Sequence, residues 1–100
     1  MLSNEETESL RQRLEKDMGV RIRPRSIRAI RVNSAYHWQP PLYIKVGGSC
    51  PYLERDDPPK EILAIFESTT FLVITPDRGL DNNLPYFFAK EDVHQVEYGE

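Results

Sequence analysis

Leu10, Leu14 and Met18 recur four residues apart inside an otherwise polar stretch. That spacing is the narrow apolar stripe of a helix and predicts one over residues 3–18. Ser3 and Glu6 have the spacing of a capping box, and acids crowd the first turn while Arg11, Arg13 and Lys16 follow. Gly19 suits the left-handed residue that ends a helix. The pattern then changes period. Val20, Ile22 and Pro24 alternate with Arg21, Arg23 and Arg25, but Pro24 cannot donate a ladder bond, so this piece is a lead-in or an edge. From Ile27 the alternation restarts out of phase. It puts Ile30 and Val32 on one face with Arg28, and Ile27 and Ala29 on the other with Arg31, which calls for a bulge or bend between Arg25 and Ile27.

Leu42, Ile44 and Val46 share one face of a further strand, with Tyr43 and Lys45 opposite, before Gly47-Gly48 breaks it. Residues 50–61 are rich in proline and charge and read as a surface loop. Residues 61–67 and 70–75 form the clearest hairpin, turning near Ser68-Thr69. Both arms are apolar on both faces, which predicts central, bent strands buried on both sides. A strand over 84–88, one helical turn over 89–92 and a last strand over 93–98 complete the chain.

The fold class is therefore mostly β, α+β by content: an N-terminal helix and then about five short antiparallel strands closed into a small barrel. Residues 27–98 resemble SH3-like or Sm-like barrels in architecture, through the bent central strands and the turn at 89–92 before the closing strand. No family motif matches residue by residue, so the resemblance carries over no functional residue. The alternative is an open antiparallel sheet with the helix packed on one face. In the barrel the helix would cover one opening or one sheet edge. One hundred residues fit a single domain spanning 1–100.

Composition narrows the function classes. A single cysteine, Cys50, excludes an intrachain disulfide, and one Cys with two His cannot build a structural zinc site. The start of the chain lacks the basic-then-apolar pattern of a signal peptide, and the longest apolar run, 62–66, is far short of the roughly 20 residues of a membrane span. A cytoplasmic protein, without membrane insertion, is the expectation.

Chemistry is sparse. Cys50 with His37 or His94 is the one available thiol–imidazole pair, and an inert thiol in a turn is expected. Asp56-Asp57, Asp77 and Asp81 read as turn and surface acids, and 77–83 fails the calcium-loop spacing. Gly47-Gly48-Ser49 lacks the lysine and helix of a phosphate loop. No catalytic residue, metal site or cofactor is assigned, and the chain is not expected to be an enzyme.

Charge is what stands out. The chain has a formal net charge of −3, yet residues 21–50 hold six basic residues and no acid, while 51–100 hold eleven acids and four bases. Arg23, Arg25, Arg28 and Arg31, followed by Tyr36, Trp38 and Tyr43, form the candidate binding set. Arginine and large aromatics are favoured at interface cores, so a non-catalytic protein-interaction module or small accessory subunit is the leading expectation. Single-stranded nucleic acid, RNA above all, could use the same residues through phosphate contacts and base stacking. The acidic pI, near 5.4, opposes that reading. The plainest possibility has the arginine heads paired with the C-terminal acids. The oligomeric state is left open.

Overall fold

A computed structural model describes residues 2–33, 40–50, 53, 56–80 and 83–99. Helix α1 (Asn4–Met18) forms where the stripe predicts it. The Ser3 hydroxyl accepts from the Glu6 N–H at 3.1 Å, and the Glu6 carboxylate accepts from the Ser3 N–H at 3.1 Å. Two of the helix's unpaired N-terminal donors are thereby satisfied. Gly19, at φ +66°, closes the other end by donating to the Glu15 carbonyl at 3.0 Å.

Among the described residues eight strands follow: β1 (Ile27–Val32), β2 (Leu42–Lys45), β3 (Ser49–Cys50), β4 (Lys60–Glu61), β5 (Ala64–Glu67), β6 (Thr70–Ile74), β7 (Tyr86–Ala89) and β8 (Val93–Tyr98). A 3-10 turn, Lys90–Asp92, precedes β8. The strands lie in three antiparallel sheets, ordered β2-β1-β8, β3-β4 and β5-β6-β7. The strand expected over 61–67 bends. Its first part pairs with β3 and its second with β6.

These ladders do not close into a barrel, and that expectation is corrected. Among the described residues no ladder joins the β2-β1-β8 sheet to the β5-β6-β7 sheet, so β2, β8, β5 and β7 remain sheet edges. The helix covers a sheet face, as in the open-sheet alternative, and not a barrel opening or a sheet edge. Leu10 and Leu14 pack with Ile22, Ala64, Phe66, Leu72 and Ile74. The opposite face of the same sheet, through Ile65, Phe71 and Val73, packs on Ile27, Ile30, Val32 and Ile44 of the first sheet. The result is three layers: helix, sheet, sheet. It explains why β5 is buried at every position and β6 at all but its first: they are sandwiched, as their two-sided apolar pattern implied.

The phase slip sits elsewhere than expected. Residues 24–25 bend, but the bulge falls inside β1. Ile27 opposes Tyr98 and Ala29 opposes Glu97, leaving Arg28 as the extra residue. Ile27 therefore joins Ile30 and Val32 in the core, and Arg28 and Arg31 are both exposed. A bulge re-aims one side chain while keeping apolar neighbours inside, and here it frees an arginine that regular alternation would have buried.

Candidate functional site

The segment from Arg21 to Ser26 runs beside the end of β5. The Arg23 N–H donates to the Glu67 carbonyl at 2.8 Å, and the Ser68 hydroxyl donates to the Arg21 carbonyl at 2.5 Å. This clamp places the arginines. The Arg23 Nε lies 3.8 Å from a Glu67 carboxylate oxygen, with its side chain 65% exposed. Arg25 stacks over the Tyr98 ring at 3.7 Å, and the Tyr98 hydroxyl donates to Glu67 at 3.0 Å. Lys90 approaches the same carboxylate at 3.6 Å. Glu67 is buried, and this ring of partners supplies the compensation a buried carboxylate needs.

A second arrangement occupies the outer face of β1 and β2. Arg31 and Tyr43 are register partners, and the guanidinium lies 4.7 Å from the ring centre. The Tyr43 hydroxyl donates to the Glu97 carboxylate. That hydrogen bond raises the Tyr43 phenol above its usual pKa, against the nearby positive charges of Arg28 and Arg31. The bond to Glu67 likewise raises Tyr98, opposed by Arg25 and Arg23. Arg28 makes no ion pair among the described residues and stands between the two arrangements.

Arg23, Arg25 and Arg28 rim a groove of about 500 Å³. Its other walls include the first turns of α1, with Glu8 and Arg11, and the apolar residues Leu63, next to β5, and Phe66, within it. Arg11 is held by Glu8 and Glu15 and by the Ile22 carbonyl, so it is a structural wall. The structure thus brings Arg23, Arg25 and Arg28 to one groove and Arg31 with Tyr43 to the adjoining sheet face. Tyr36 and Trp38, with His37, lie outside the described residues.

Among the described residues the C-terminal acids pair little with the strip. Of the ion pairs among described residues, one joins it to an acid, Arg23 with Glu67. The residues that sequence reasoning missed are Glu67, Lys90, Glu97 and Tyr98. No local signal marks them, because each meets its partner across distant strands.

The remaining candidates fall elsewhere. Cys50 is buried in the core, in a two-residue strand and not in a turn. His94 is the extra residue of a bulge in β8, and its ring contacts the Asn33 side chain at the surface. Asp77 is more than a turn acid: it accepts from Lys60 at 2.6 Å and from the Thr75 hydroxyl at 2.7 Å. Lys60 and Thr75 hold its carboxyl below the usual range, and Asp77 raises the Lys60 amine. Among the described residues no group of three or more His, Cys, Asp or Glu could hold a metal ion, and no helix is long and apolar enough to cross a membrane.

Comparison with known proteins returns nothing: no family model, no curated protein and no solved structure matches the chain.

Proposed function

We propose that this chain is a non-catalytic protein-interaction module or small accessory subunit, which recognises its partner through Arg23, Arg25, Arg28, Arg31 and Tyr43, together with Tyr36 and Trp38. The supporting observation is the way Arg25 and Arg31 are held. Each lies over a tyrosine ring and has no ion pair with an acid among the described residues. Stacking uses the face of a guanidinium and leaves its in-plane N–H donors available. A pre-positioned arginine loses less side-chain entropy when it binds, and arginine is prominent among interface hot spots.

The same stacking disfavours nucleic acid. A base seeking the Tyr43 or Tyr98 ring would meet a guanidinium already over it, and the chain's net negative charge adds repulsion. A cytoplasmic setting accords with a single cysteine held in the core.

The test is charge reversal on exposed strand positions. Arg28→Glu and Arg31→Glu are expected to fold and to lose a defined set of proteins in quantitative affinity capture. An unchanged set from both variants overturns the reading. Salt-sensitive binding to mixed-sequence RNA or DNA oligomers, lost in the same variants, would install the nucleic-acid reading in its place.

A further inference from the structure

The groove rimmed by Arg23, Arg25 and Arg28 joins two kinds of surface. All three arginines are exposed, and the exposed Ser26 adds a hydroxyl to the same rim. Arg25 and Arg28 make no ion pair among the described residues, and Arg23 meets Glu67 only at 3.8 Å. The one acid lining the groove, Glu8, is bound to Arg11. The rim therefore carries positive charge that its own walls do not offset. Apolar groups stand beside that charge: Leu2 and Val46 are half-buried, over the nearly buried Leu63 and Phe66. The volume, about 500 Å³, is that of a small-molecule site, and such sites combine apolar walls with a few fixed polar groups.

We infer that this groove binds a small amphipathic anion, a carboxylate or phosphate head on an apolar body. The inference goes beyond the interaction module and does not rest on it. The head belongs at the arginine rim. A guanidinium presents its N–H donors in a planar fork that matches two oxygens of a carboxylate or phosphate. Stacking over Tyr98 sets the plane of Arg25 and leaves that fork able to donate. The segment carrying Arg23 and Arg25 is itself held, by the bond from the Arg23 N–H to the Glu67 carbonyl at 2.8 Å. The anion thus meets donors already placed, and less side-chain entropy is lost on binding. The body belongs on Leu2 and Val46. There each methylene taken out of water tightens binding by about fourfold. A head alone or a body alone satisfies half of the site.

The probes are octyl phosphate and octanoate, each titrated as a monomer into isotope-labelled full-length protein and followed by amide NMR. Inorganic phosphate supplies the head alone and octanol the body alone. Saturable binding of at least one amphipathic anion is expected, with the largest shifts at residues 25–28 and at Val46. Inorganic phosphate and octanol should each bind about tenfold more weakly or less. Arg25→Gln and Arg28→Gln should each weaken the amphipathic anion by about tenfold, the loss of one charge-assisted contact. Leu2→Ser, outside the helix, should weaken it by a smaller factor and leave inorganic phosphate unchanged. Lys16→Gln removes a charge away from the groove and should alter neither. No binding of either amphipathic anion, or binding indifferent to both arginine variants, overturns the assignment. Inorganic phosphate binding as tightly as octyl phosphate overturns the amphipathic ligand. Arg28-dependent binding of a tetraglutamate peptide, with none of either amphipathic probe, overturns the small-molecule site and gives the groove to the protein partner.

Discussion

The same three residue types make the same chain of contacts twice. Arg25 lies over Tyr98, whose hydroxyl donates to Glu67; Arg31 lies over Tyr43, whose hydroxyl donates to Glu97. The chemistry is alike and the surroundings differ. Glu67 is buried, with Arg23 and Lys90 also close to its carboxylate, at the seam where the lead-in segment joins β5. The second set lies on the outer face of β1 and β2, where Tyr43 is 37% exposed. A polar contact shielded from water is worth more, and leaving its acceptor unpaired costs more, than the same contact in solvent. The first set is therefore a fastener that holds the arginine segment to the core. The second lies on an exposed sheet face, open to solvent.

Breaking the fastener should have the largest effect. Glu67→Ala removes the acceptor of Tyr98 and the counter-charge of Arg23 and Lys90. It should destabilise by about 1–3 kcal/mol, the cost of leaving buried polar groups unsatisfied. Thermal unfolding would show this as a fall of several degrees, at roughly 4–8 °C per kcal/mol for a chain of this size. A midpoint unchanged by Glu67→Ala would remove the distinction between the two sets.

A pair of matched substitutions sharpens it. Tyr98→Phe should lower the melting midpoint by more than Tyr43→Phe, because each deletes one hydroxyl bonded to a carboxylate and only Tyr98 sits at the seam. Equal losses in parallel melts would place the two hydroxyls in equivalent surroundings.

The smallest effect is in pH dependence. Both phenols have folded pKa values raised by donating to a carboxylate. A raised folded value means the contribution is fully present below the unfolded tyrosine pKa, about 10, and is lost as pH rises through the folded value. Ultraviolet titration should find both tyrosines ionising later than in the unfolded chain. Tyr43→Phe and Tyr98→Phe should each reduce the stability lost between neutral and strongly alkaline pH. A variant that retains the full alkaline loss shows that its hydroxyl does not contribute to it.

Much of the fold was legible because it is local. The capping box at Ser3 and Glu6 and the left-handed Gly19 need only neighbouring residues to be read. The alternation of Leu42, Ile44 and Val46 gives the strand faces directly, and the two-sided apolar arms around Ser68-Thr69 give a sandwiched hairpin. The candidate site was legible as a composition, arginines without acids beside aromatics, but not as an arrangement. Regular alternation put Arg28 on the face of Ile30 and Val32. The bulge that turns it outward is set by how β1 pairs with Glu97 and Tyr98 of β8, about 70 residues on. Barrel closure failed for a similar reason, since it depends on whether outer strands far apart in the chain pair, and no ladder among the described residues joins the two three-stranded sheets.

By itself, the sequence determined the helix and its caps, the positions of most strands, the hairpin and the segregation of charge, all of which follow from period, capping and turn chemistry within a few residues. Tertiary structure alone decided which arginines face solvent and which tyrosine each one stacks upon. It also decided that Glu67, 31 residues from Tyr98, is buried beneath them. The physical reason is that hydrogen bonds, stacking and desolvation act over a few ångströms in space, whatever the separation along the chain. The arginine segment is thereby two things at once: fastened at Arg23 and Arg25 through an acid from the second half, and exposed to solvent at Arg28 and Arg31.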